Sequence, residues 1–148
     1  MLLTLFIMLA WPSGIQAAPL VTPYFSLSIP AGWKILSGPE TNGKAVTLQL
    51  CDDAHTAVVA FAVGPVRHGE AEEAAQMYAR RLKGSKPSKH AGQIEFSFGH
   101  GSEKGIGIVR EDKATGLALV MIISGNLAIT DFVYAMRGSY KRLYPVRP

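Results

Sequence analysis

Residues 25–33 read Phe-Ser-Leu-Ser-Ile-Pro-Ala-Gly-Trp. Phe25, Leu27 and Ile29 are apolar at every second position, with Ser26 and Ser28 between them. A period of two places the apolar set on one side of an extended chain, the pattern of a strand with one face buried. Pro30 ends the strand because it has no N–H to give to a ladder. Ala31-Gly32 then turns the chain, and Trp33 is expected to plug one end of a core. The following elements are expected to add to this first strand as a sheet with helices.

Upstream, residues 2–11 (Leu-Leu-Thr-Leu-Phe-Ile-Met-Leu-Ala-Trp) carry no charge and precede Pro12-Ser13-Gly14. A run of roughly ten residues is too short to span ~30 Å of hydrocarbon, which takes about 20. It fits the apolar core of a signal peptide, with Ile15 and Ala17 forming a cleavage pattern before Ala18, although no Lys or Arg precedes the run. The expectation is a signal peptide over residues 1–17 and a single exported domain over 18–148, periplasmic or secreted, without a stable membrane anchor. Cys51 is the only cysteine, so no intramolecular disulfide can form and the core must hold the fold. The formal net charge of +4 favours acidic partners or surfaces weakly.

Further along, Val46, Leu48 and Leu50 alternate inward. Residues 57–63 and 117–123 are apolar on both parities, which predicts central strands covered on both faces. Glu70 to Lys83 reads as a helix with Ala71, Ala74, Ala75, Tyr78 and Leu82 on one face. Its acids lie at the start and its bases at the end, complementing the dipole, and Gly84 follows as the expected C-terminal cap. Residues 85–92 read as a polar loop, and 93–98 and 105–110 as a hairpin around Gly99–Ser102. A closing helix is expected from about Asp131, capped by Thr130, with Phe132, Val133, Met136, Tyr140 and Leu143 inward and a frayed tail from Tyr144. Short turns make antiparallel pairing the default. The expected class is α+β, a mainly antiparallel sheet of six or seven strands packed between helices as α/β/α layers.

The opening strand with its Pro30-x-Gly32-Trp33 turn, the helix Glu-Ala-Ala-Gln-Met-Tyr-Ala-Arg-Arg-Leu over residues 73–82 and the late strand Leu117–Asn126 together resemble the PsbP/Mog-like superfamily. Within it, the chain is most similar to the DcrB-like group of small exported bacterial proteins. The resemblance covers residues 24–143 and is one of order and pattern. It implies an antiparallel sheet between helices in a binding or accessory protein rather than an enzyme. The superfamily includes photosystem accessory subunits, a small-GTPase-binding protein, envelope proteins linked to phage adsorption and secretion-effector chaperones; the chaperones lack export signals, which counts against that branch.

Two constellations could carry chemistry. Cys51-Asp52-Asp53-Ala54-His55 places a thiol, two carboxylates and an imidazole in five residues, so Cys51, Asp53 and a histidine could begin a metal or small-ligand site. His68, His90 or His100 would have to complete it; the plainer alternative is a charged turn beside an inert thiol. The second is the basic run Arg80, Arg81, Lys83, Lys86 and Lys89, with His90, which runs from a helix end into a loop and could meet an acidic protein. It has no interleaved aromatics for stacking bases, so a nucleic-acid partner is not expected. Gly105-x-Gly107 lacks a third glycine and precedes no helix, and no Gly-x-Ser-x-Gly or facing pair of carboxylates is legible. No cofactor is therefore expected. The function expected is that of an exported, non-enzymatic binding or accessory protein acting on an envelope or secreted partner. The alternatives are an inhibitor or immunity protein against an exported toxin or hydrolase, and a metal- or small-ligand-binding protein.

Overall fold

The computed structural model describes residues 18–148, so the signal segment expected over residues 1–17 lies outside the described residues. β1 (Ala18–Val21) and β2 (Ser26–Ile29) form a separate antiparallel hairpin. The main sheet holds β3 (Trp33–Asn42), β4 (Ala45–Asp52), β5 (Ala57–Pro65), β6 (Ser88–His90), β7 (Gln93–His100), β8 (Glu103–Asp112) and β9 (Leu117–Gly125). Its spatial order is β3-β4-β5-β9-β8-β7-β6, and every neighbouring pair is antiparallel. Helix α1 (Glu70–Arg81) is the one α-helix among the described residues.

The Phe25–Ile29 strand therefore does not start the main sheet, which begins instead at Trp33 with β3. Phe25, Leu27 and Ile29 are buried, as a period-two strand requires, but β2 pairs with β1 and lies across a face of the sheet. Its apolar side joins one core cluster with Leu48, Leu50, Val59, Phe61, Ile108, Leu119 and Met121, and the Phe25 and Phe61 rings stand 5.8 Å apart. Trp33 is half-buried at the rim, edge-on to Phe132 at 4.8 Å.

The expected α/β/α layering is overturned. One face carries α1; the opposite, core face is covered by the β1–β2 hairpin and by three short 3-10 turns, Leu127–Ile129, Asp131–Ala135 and Lys141–Leu143. The closing helix is absent because its backbone bonds go elsewhere. Met136 is extended (φ −56°, ψ 142°), and Arg137 exchanges N–H···O bonds of 3.0 and 2.8 Å with Ser26, adding an isolated rung to β2. Gly138 has φ +137°, which no helix admits. Val133, Met136 and Leu143 still face the core, from turns rather than from a helix. The tail is docked, not frayed: Val146 N–H donates to Gln93 Oε1 (3.0 Å), and Gln93 Nε2 donates to the Val146 carbonyl (2.7 Å).

Helix α1 packs through Ala71, Ala75 and Ala79, small residues that let its axis lie close to Val109 and Ala118. Lys83, with φ +52°, takes the left-handed position after the helix. Gly84, expected as the cap, closes the helix end through its N–H on the Ala79 carbonyl (2.7 Å) rather than through a left-handed backbone, and it lies so near β7 that a Cβ there would stand 2.6 Å from the Ser97 carbonyl. The expected two-sided burial of β5 and β9 is complete on the core face, while on the helix side only Ala118, under α1, is buried. Val59, Phe61, Leu119 and Met121 are buried, whereas Val58, Ala60, Ala62, Val120 and Ile122 on the helix side are half-buried, because α1 covers β7 and β8 and stops short of β4 and β5.

Candidate functional site

The turn joining β4 to β5 does not assemble the ligand set that its composition suggested. Asp52 is buried and fully engaged: Oδ1 accepts from the N–H groups of Thr56 and Ala57 (2.7 Å each), and Oδ2 accepts from Thr56 Oγ1 (2.8 Å). Burial works against its charge, but the bonds from Ala57 and Thr56 outweigh it and hold the carboxyl below its usual value of 3.8. Cys51 is buried at 1 % exposure, while Asp53 and His55 are exposed. Asp53 N–H bonds the Gly32 carbonyl (2.8 Å), and His55 Nε2 lies 3.4 Å from Lys34 Nζ. His68 lies in the loop before α1, and His90 Nδ1 is 3.1 Å from Glu95 Oε1. Among the described residues, no three of His, Cys, Asp or Glu converge as a metal site would require. The turn is built from its own hydrogen bonds.

Gly105 and Gly107 are seats for aromatic rings. They oppose Phe98 and Phe96 in the β7–β8 ladder, and a Cβ on either would fall about 2.1 Å from a ring carbon. The missing side chains let both rings lie flat over β8 beside α1.

The basic run divides in two. Lys89 belongs to the other end of the helix, where its Nζ is 2.5 Å from Glu72 Oε1. This contact lowers the Glu72 carboxyl and raises the Lys89 ammonium relative to their ordinary values, each chiefly through the shared hydrogen bond. Arg80, Arg81, Lys83 and Lys86 form an exposed collar round the C-terminal end of α1, and among the described residues none of them is in an ion pair. Arg80, Lys83 and Lys86 border a shallow groove with Pro87. On the other flank, Arg81 and Lys83 wall a cleft of about 240 Å³ that also holds Leu82, Phe98, Lys104, Glu103 and Ser124. This cleft has an apolar floor, one hydroxyl, three cations and one acid.

Lys104, Phe98 and Ser124 were not singled out in the sequence. The Phe98–Gly105 pairing follows from the tight turn after Gly99, so Lys104 was within reach of local reasoning. Ser124 was not, because β9 reaches the cleft by pairing Ser124 with Gly105, a register set far along the chain. No family model matches the chain, and no curated protein matches it.

Proposed function

We propose that the chain is an exported, non-enzymatic binding protein that holds an acidic protein partner in the envelope or secreted space. The observation that carries this reading is the collar Arg80, Arg81, Lys83 and Lys86, in no ion pair among the described residues, beside a cleft floored by Leu82 and Phe98. Cations held off their own acids are available to a partner's carboxylates, and an adjacent apolar floor supplies the desolvated contact that gives a complex its lifetime. The polar groups that could have done chemistry instead support the fold: Asp52 ties a turn, Gln93 ties the tail, and His90 meets Glu95. Export rests on the leader-like residues 1–17.

The test is expression of all 148 residues, followed by N-terminal mass determination and affinity capture from an envelope fraction. The expected result is a chain beginning at Ala18 and one stoichiometric partner, released by salt and lost on Arg81→Glu/Lys83→Glu. A retained Met1 removes the export reading. A partner held equally well by the charge-reversed protein removes the basic collar as the contact, and turnover of a substrate without a partner removes the non-enzymatic reading.

A further inference from the structure

We infer that the half of the sheet face left open beside α1 is a docking floor for one amphipathic helix of the partner, with acidic residues at the end that lies against Arg81, Lys83 and Lys104. This rests on the binding reading above and specifies its surface. The registers fix the floor. Thr47, Ala62 and Val120 stand in one row across β4, β5 and β9; Gln49, Ala60 and Ile122 form the next, and Cys51, Val58 and Ser124 the last. The same rows continue under α1 to Ile94, Phe96 and Phe98. Helix α1 thus covers one half of a continuous surface; on the other half Thr47 and Gln49 are exposed, Val58, Ala60, Ala62, Val120 and Ile122 are half-buried with no element packed squarely over them, and Cys51 is buried at the far corner.

The dimensions fit a helix. Three strands about 4.8 Å apart give a floor about 10 Å wide, the diameter of one helix. From Thr47 to Cys51 the floor runs roughly 14 Å, about three helical turns at 1.5 Å per residue. An extended segment could not hydrogen-bond to the face of a sheet, whereas a helix satisfies its own backbone and offers an apolar stripe. Charge sets the partner's composition. The last row ends at Ser124, inside the cleft that Arg81, Lys83 and Lys104 surround with Glu103 as their only acid, so that end of the floor calls for carboxylates. A second copy would bring the same cations to the same face. Ala18, the first described residue, lies in the hairpin on the opposite face.

A photo-crosslinking residue is placed at Thr47 or, separately, at Gln49, both exposed on this face, and as a control at Thr41 on the edge strand. Each variant is expressed as the full chain, irradiated with an envelope fraction, and its crosslinked peptides are sequenced. The expected result is one helix-forming segment of one partner, with an apolar stripe and clustered Asp or Glu at one end, reached from Thr47 and Gln49. Its yield falls about tenfold or more in Arg81→Glu/Lys104→Glu, as expected for charges that face carboxylates across an interface. Crosslinks to residues 1–17, to a second copy, to lipid or to a segment without acids overturn the inference. A partner reached only from Thr41 leaves the binding reading standing and removes this floor, whereas no partner from any position removes both.

Discussion

Asp52 shows how one carboxylate can be mistaken for a site. It sits among groups with metal-ligand chemistry, yet its two oxygens accept three hydrogen bonds, two from Thr56 at the end of the turn and one from Ala57, the first residue of β5. Those bonds favour the ionised form, so its folded pKa lies below the usual 3.8. A depressed folded pKa contributes stability that is fully present above the unfolded value and is lost as pH falls below it. Urea unfolding of the wild type should therefore weaken as pH drops below about 3.8, and the gap between wild type and Asp52→Asn should narrow over that window. A gap that stays constant with pH would remove the charge from this account. The glycine seats give a second residue-scale contrast. Phe96 is 2 % exposed under α1, so its ring cannot swing aside, and Gly107→Ala should cost ~1–3 kcal/mol by overpacking. Phe98 borders the open cleft and can yield, so Gly105→Ala should cost less. Equal losses in urea titrations of the two variants would count against the rings as the cause.

At the scale of elements, the chain advertises local pattern and conceals where each pattern lands. The alternation of Phe25, Leu27 and Ile29 correctly marks a buried-face strand, but nothing in nine residues says that β2 lies on the sheet instead of within it. That choice is made by Ala18–Val21 on one side and Arg137 on the other. Helix α1 was legible because its apolar period, acidic start and basic end agree. The closing segment failed for the converse reason: Phe132, Val133, Met136 and Tyr140 have helical spacing, but Gly138 and the Ser26–Arg137 rung decide against it. Of the basic run, the collar was legible, while the capture of Lys89 by Glu72 depended on tertiary placement. The 3-10 cover nevertheless carries weight through its buried side chains. Leu143 is 1 % exposed against the core, so Leu143→Ala should destabilise by ~2–5 kcal/mol, measured by thermal or urea unfolding. A loss under half a kcal/mol, the range of surface changes, would mean that this segment is not part of the cooperative core.

For the whole molecule, the arrangement of cover predicts an order of local stability. β5 and β9 pair with each other at the centre of the sheet, and their core-facing residues Val59, Phe61, Leu119, Met121 and Ile123 are at most 3 % exposed. Opening that ladder requires removing both β2 and the 3-10 cover above it, which is close to global unfolding. The two edges differ in kind. β3 is exposed along most of its length, and two register shifts and Pro39 interrupt its pairing with β4, so its ladder is discontinuous and little packing covers it. β6 is three residues long and held to β7 alone. Native-state hydrogen exchange should therefore find the slowest amides in β5 and β9, intermediate ones in β4 and β8, and the fastest strand amides in β3 and β6, since exchange follows the free energy of the smallest opening that exposes each bond. If β3 exchanged as slowly as β5, the edge would have to be covered in solution by something that this chain does not supply. Occupation of the open floor makes a separate demand: with the partner bound, added protection should appear in β4, whose Thr47 and Gln49 face that floor, while β6 on the far side of α1 stays unchanged.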